Sequence, residues 1–144
     1  MIVTPDLLRS FSILKTLADN DLLGLAQQSS LRKFTRRGIV LNAGKKEGHV
    51  CLLFEGRLQG VDFTIDGREV GLYFVQPGEF CGELGLFDHG SQPEYVIALT
   101  PSVVVFVPMS GLREIMNKTP TVANTLGLKL ADRVRQMIFQ RSLL

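Results

Sequence analysis

Phe80-Cys81-Gly82-Glu83-Leu84-Gly85-Leu86-Phe87 is the stretch on which the reading of this chain turns. It follows the turn signal Gln76-Pro77-Gly78 and places one acid between two glycines inside an apolar run. Gly82 and Gly85 allow backbone N–H groups to come close to a ligand, and successive N–H groups of this kind form an anion-binding nest. Glu83 is an acceptor suited to hydroxyl groups. The same residues also have a purely architectural reading, in which the glycines serve a turn and Glu83 accepts local N–H bonds.

Outward from this stretch the chain divides into short strand-like pieces: Leu31–Thr35, Ile39–Leu41, Val50–Phe54, Leu58–Ile65, Glu69–Val75, Tyr95–Leu99 and Val103–Val107. Turn chemistry separates them, at Arg37-Gly38, Ala43-Gly44, Glu55-Gly56, Asp66-Gly67, Pro77-Gly78 and Thr100-Pro101. Asp66-Gly67 between two apolar runs is a strong hairpin signal. Evenly spaced short strands of this kind predict an antiparallel sandwich or barrel.

Helical patterns flank the strands, so a single domain over 1–144 is expected, with helices in 1–30, strands in 31–107 and helices in 108–144. Thr4 is placed to cap a first helix with Pro5 at its first position. Phe11 to Leu17 reads as a connector. Asp19 is the expected cap of a second helix, with Leu22, Leu23, Leu25 and Ala26 on its buried side. After Val107, Leu112–Met116 reads as a short helix. Thr119 and Pro120 then open a long one that nothing stops before Leu144, Gly127 costing about 1 kcal/mol relative to alanine. Leu126, Leu130, Val134, Met137 or Ile138, and Leu144 form an apolar stripe spaced for a coiled-coil-like seam. A helix of roughly 35 Å, at 1.5 Å per residue, exceeds what one face of a small sandwich needs. The stripe therefore predicts a homodimer.

The 144 residues suffice for one domain with a real core. A hydrophobic fraction of 45% against 21% charged residues fits a globular chain and not a disordered one. The longest apolar runs are too short to span a bilayer, and no basic region leads into an apolar one at the N-terminus. The expected location is the cytoplasm, with no membrane partner. Net charge is only +2. The basic clusters Arg32, Lys33, Arg36, Arg37 and Lys129, Arg133, Arg135, Arg141 read as solvated faces. Cys51 and Cys81 lie in apolar segments and read as small buried hydrophobes, being too few for an iron–sulfur cluster. No nucleophile–histidine pair, metal-spaced cluster or Walker-type loop is present, so neither catalysis nor a metal site is expected.

The Gly82-Glu83-Leu84-Gly85-Leu86-Phe87 motif, preceded by Pro77-Gly78-Glu79-Phe80, resembles the phosphate-binding cassette of cyclic nucleotide-binding domains. Such domains occur in the CRP/FNR family of bacterial regulators. Glycines 38, 44, 56, 67, 78 and 82 fall in the order found in that family's double-stranded β-helix. The resemblance implies a mainly β fold with flanking helices, a jelly-roll-like β-roll, and a long C-terminal dimerisation helix carrying Leu126, Leu130, Val134, Met137 and Ile138. It implies a small-molecule effector, a cyclic nucleotide or a relative of one. Gly82, Glu83, Leu84 and Gly85 would hold the effector, with Glu83 on a ribose hydroxyl. It also implies DNA binding, through a helix-turn-helix domain that would begin where this chain stops.

The resemblance breaks at one place. The family puts an Arg, then Ser or Thr, about ten residues beyond the Glu, to hold the cyclic phosphate. Here those positions are Pro93 and Glu94. Proline has neither a side-chain donor nor a backbone N–H. Two like charges about 4 Å apart cost on the order of 4 kcal/mol at an effective dielectric of about 20, roughly three decades in affinity. Arg57 and Arg68, on neighbouring strands, are the candidate substitutes. Met137 and Ile138, at the helix positions where the family reads the purine, cannot donate to a base. Two alternatives stay open: a stand-alone β-roll module acting through protein contacts without a ligand, and a haem-based sensor using His49 or His89.

Overall fold

Strands β3 (His49–Glu55) and β8 (Ser102–Pro108) show how the chain is layered, because both are apolar at successive positions and not at alternate ones. Val50, Leu52, Val105 and Val107 turn to one face and pack with the helices, whereas Cys51, Leu53, Val104 and Phe106 turn to the other. A central strand covered on both faces has no solvent side on which to place polar residues. The computed structural model describes the backbone of residues 2–142 and the side chains of residues 2–139.

The remaining strands are β1 (Ser30–Phe34), β2 (Ile39–Leu41), β4 (Leu58–Phe63), β5 (Glu69–Val75), β6 (Phe80–Cys81) and β7 (Tyr95–Ala98). They form two four-stranded antiparallel sheets in the orders β1-β8-β3-β6 and β2-β7-β4-β5. The inner faces enclose one core cluster, built around Leu41, Leu53, Leu58, Val96 and Phe106. The outer face of the first sheet is covered by helices and encloses a second, around Leu8, Phe11, Leu22, Leu112 and Leu126. The helices are α1 (Pro5–Arg9), α2 (Asp19–Gln28), α3 (Leu84–Asp88), α4 (Met109–Lys118) and α5 (Pro120–Ser142). Among the described residues no helix is long and apolar enough to cross a membrane.

Local chemistry accounts for many of the element ends. Thr4 caps α1, its hydroxyl accepting from the Leu7 N–H at 3.1 Å, with Pro5 at the first turn. The β4–β5 hairpin closes at Asp66-Gly67, where the Gly67 N–H reaches the Thr64 carbonyl at 2.9 Å. Four expectations are corrected. Ala18, not Asp19, occupies the cap position of α2; Asp19 is already helical and pairs with Arg9, an ion pair that replaces a cap. Leu23 is half-exposed and does not join the buried side of α2. Ile65 lies beyond the end of β4 at the hairpin tip, fully exposed. The short helix after Val107 is twice the expected length, because Met109 and Gly111 are buried and begin it early.

The stripe on α5 divides into different environments. Leu126 is wholly buried within its own chain and Leu130 packs against the same cluster, so Leu126 cannot belong to a seam. Val134, Met137 and Ile138 lie outside that core, at 53%, 37% and 63% exposed. Leu144 and the side chain of Arg141 lie outside the described residues.

Candidate functional site

The cassette begins where the chain leaves β6, which pairs antiparallel with β3 through Leu52 with Phe80 and Cys51 with Cys81. Both thiols are free and fully buried, and burial pushes the Cys51 thiol well up, so it stays protonated. Gly82 turns the chain at φ +75°, and a Cβ there would stand 2.7 Å from Cδ1 of Leu41. Only glycine meets both demands. Glu83 then stands at the cap position of α3, its carbonyl accepting from the Leu86 N–H at 3.0 Å. The helix ends at His89, which is left-handed at φ +57°. Arg113 of α4 fastens it from behind, donating through Nη2 to the Gly85 carbonyl at 2.9 Å and through Nε to that of Leu86 at 3.0 Å. Gly85 is packed tightly too, since a Cβ would lie 2.9 Å from the Gly90 carbonyl oxygen. The architectural reading of the two glycines therefore accounts for both.

Glu83 does not accept merely local bonds. Its side chain is only 4% exposed, and Oε1 accepts from Nη1 of Arg133 on α5 at 2.5 Å. Nη2 of the same guanidinium donates to the Phe80 carbonyl at 2.6 Å. The plane of charge lies over two rings, 4.5 Å from the centre of Tyr73 and 5.2 Å from that of Phe80. Burial pushes the Glu83 carboxyl above the usual carboxylate range, and the Arg133 charge opposes this. Arg133 was expected on a solvated face, and that expectation is corrected. Its position held a signal, however. It lies three residues after Leu130 and four before Met137, which puts it on the buried side of α5.

Between the cassette and α5 lies a cavity of about 330 Å³. Glu83, Leu84, Pro93 and Glu94 line it from the β-roll side, and Leu130, Val134 and Met137 from α5. Four of the six expected cassette residues thus meet around one space. Gly82 and Gly85 do not line it and act through the backbone path instead. Glu94 is held by neutral donors: the Tyr73 hydroxyl at 2.5 Å on Oε2 and the Gln92 amide at 3.0 Å on Oε1. Burial raises the Tyr73 hydroxyl far above its ordinary range, so it remains a donor.

The expected substitutes for the missing arginine are elsewhere. Arg57 lies over the Phe74 ring at 4.2 Å, and Arg68 pairs with Asp66. His49 is engaged with the Glu47 carbonyl and packs edge-on to Phe106, while His89 caps α3; neither lines this cavity. In the other basic cluster, Arg32 covers Phe106 at 4.5 Å and Arg37 pairs with Glu69 at 2.8 Å, so these side chains cap the sheets. Among the described residues no group of three or more His, Cys, Asp or Glu side chains is arranged to hold a metal ion.

Comparison with known proteins places this geometry. The family model for the cyclic nucleotide-binding domain matches residues 31–119. The cAMP-activated global transcriptional regulator Vfr of Pseudomonas aeruginosa is 29% identical over 109 residues, covering 73% of this chain and 51% of that protein. The chain spans about half the length of the curated relatives it matches. Among solved structures, the sensor domain of the transcriptional regulator DNR from Pseudomonas aeruginosa superposes with a TM-score of 0.77 at 24% identity, covering 92% of this chain and 89% of that one. The Thermus thermophilus catabolite activator protein gives 0.73 at 21% identity, covering 91% and 62%. The two sheets with their flanking helices are thus the β-roll fold of such sensor domains.

Proposed function

The chain belongs to the cyclic nucleotide-binding domain family, and on that premise we propose that it is the effector-sensing domain of a CRP/FNR-type transcription regulator. One observation carries the reading: the cassette acid Glu83 is tied directly to α5 through Arg133, and both residues line the cavity. A small molecule entering that cavity touches the cassette and α5 together. It shifts the position of α5 by whatever difference in affinity it has for the tied and untied arrangements. The bacterial regulators among the relatives support DNA as the final target, reached through a domain beyond α5. The cytoplasm is the matching location.

The coupling is testable without a ligand. Glu83→Gln keeps an acceptor for Arg133 but removes the charge, which contributes about 1.5–3 kcal/mol in a charge-assisted bond. Amide hydrogen exchange in α5 from Leu130 onward is expected to accelerate about tenfold, while β3 and β8 stay protected. Unchanged exchange in α5 would mean that the cassette does not govern the helix, and the sensing reading would fall.

We place the dimer contact further along α5 than the sequence stripe suggests. Leu126 and Leu130 serve the chain's own core and Met137 faces the cavity. Val134, 53% exposed, also edges the cavity, so among the described stripe positions Ile138, one turn further on and 63% exposed, is the one left wholly for a second copy. Ile138→Asp is expected to yield monomers in sedimentation velocity, whereas Leu128→Asp, on another side of the helix, keeps the dimer. Dimers that survive Ile138→Asp would move the interface off this face.

A further inference from the structure

We propose that the cavity between the cassette and α5 takes an apolar organic ligand that carries a positive charge. This names the ligand class for the effector-sensing reading above and rests on it. Apart from Tyr73, the walls between the charged groups are apolar, formed by Leu72, Leu84, Pro93, Leu130, Val134 and Met137. Three carboxylates, Asp62, Glu83 and Glu94, face one guanidinium, Arg133. Arg133 is already committed, to Glu83 and to the Phe80 carbonyl. Among the described residues no Lys or Arg nitrogen pairs with Asp62 or Glu94. The cavity therefore presents two carboxylates that no Lys or Arg among the described residues pairs with.

Glu94 is moreover prearranged. The Tyr73 hydroxyl and the Gln92 amide hold one oxygen each, which fixes the carboxylate without cancelling its charge. An anion entering here meets like charge on two sides and, at Pro93, a residue with no donor of any kind. A neutral molecule fills the apolar space but leaves both carboxylates unpaired. A cation with an apolar body satisfies both, because it pairs with Glu94 in a partly desolvated setting and covers the aliphatic walls. Glu94 and Asp62 are not part of a metal-spaced group, which points to an organic ammonium or amidinium and not to a metal ion. The volume, at the low end for ligand cavities, suits a molecule of one or two rings.

Three probes of one shape separate the charge from the fit: benzamidinium, benzamide and benzoate, titrated by NMR into the whole chain, with cyclic AMP as a fourth. Benzamidinium is expected to bind about tenfold more tightly than benzamide, a difference of about 1.4 kcal/mol. Benzoate and cyclic AMP are expected not to saturate. Glu94→Gln retains an acceptor for the Tyr73 hydroxyl and should remove most of the preference. Asp62→Asn, at an exposed position, should reduce it by a smaller factor without disturbing the fold. Equal binding of the three benzene probes, or a preference that survives both substitutions, overturns the proposal. Tight binding of cyclic AMP or benzoate overturns it while leaving the effector-sensing reading intact. Silence from all four probes overturns it as well, and hydrogen exchange in the Glu83→Gln protein then decides that reading separately.

Discussion

Replacing Arg133 with alanine is expected to cost about 3–5 kcal/mol of folding stability at neutral pH, measured by urea denaturation. The substitution leaves the Glu83 carboxylate, 4% exposed, without its cation, and the Phe80 carbonyl without its donor. An uncompensated buried charge is among the few single-site defects of this size. The loss has a pH signature that mere loss of packing lacks. Burial already lifts the Glu83 carboxyl in the folded protein above its unfolded value, and Arg133 restrains the lift. Without Arg133 the folded value rises further.

A carboxyl raised on folding binds more protons in the native state than in the unfolded one, so stability falls as pH rises. The fall begins near the ordinary glutamate range and ends once pH has passed the raised folded value. Below that range Glu83 is protonated in both states and the charge penalty vanishes. The gap between wild type and Arg133→Ala should therefore be widest at neutral pH. On acidification it should narrow to the part that comes from lost contacts with Tyr73 and Phe80. Combining Glu83→Gln with Arg133→Ala should recover a large share of the loss at pH 7. A gap that is the same at every pH would mean that Glu83 is not the seat of the effect.

The second large effect is expected at Gly56, in the turn from β3 to β4. Its φ is +102°, and a Cβ there would stand 2.7 Å from both the Pro101 carbonyl oxygen and Cα of Ser102, and closer still to Oγ of Ser102. Those atoms cannot move aside. Ser102 is buried, its hydroxyl donates to the Thr100 carbonyl at 2.8 Å, and the Leu99 N–H holds the Arg57 carbonyl at 2.8 Å. Gly56→Ala combines backbone strain of about 1–2 kcal/mol with overpacking of about 1–3 kcal/mol. A loss of about 2–5 kcal/mol follows. Gly67→Ala provides the control. Its φ of +84° is of the same sign, but nothing lies within 4 Å of the added carbon. Only the strain should appear there, about 1–2 kcal/mol. Equal losses at the two sites would falsify the steric account.

The contrast between these two glycines also shows what can be read along the chain. Asp66-Gly67 announces its hairpin by its own residues, because turn conformation is set within four or five positions. Thr4-Pro5 at α1 and the alternation of short strands with glycine turns are legible for the same reason. Gly56 is equally legible as a turn, but the reason it tolerates no side chain is Pro101-Ser102, at the start of β8. The expected cap at Asp19 shows the limit on an apparently local feature. A tertiary partner, Arg9, takes the side chain that would otherwise cap.

The cassette separates the two kinds of information most clearly. Gly82-Glu83-Leu84-Gly85, the substitution of Pro93 and Glu94 for a cation and a hydroxyl, and an apolar stripe on a long helix are properties of the sequence alone. The resemblance to the β-roll family, and its break at the phosphate-holding position, rest on the identity and order of these residues. That Glu83 is already occupied, by a guanidinium 50 residues away, depends on how α5 packs across the β-roll. So does the sorting of the stripe into core at Leu126, cavity wall at Met137 and open surface at Ile138. Helical periodicity marks which residues share a face, but what that face meets is decided only when the layers come together. Desolvation and ion pairing follow from that meeting, because both act through space and are blind to distance along the chain.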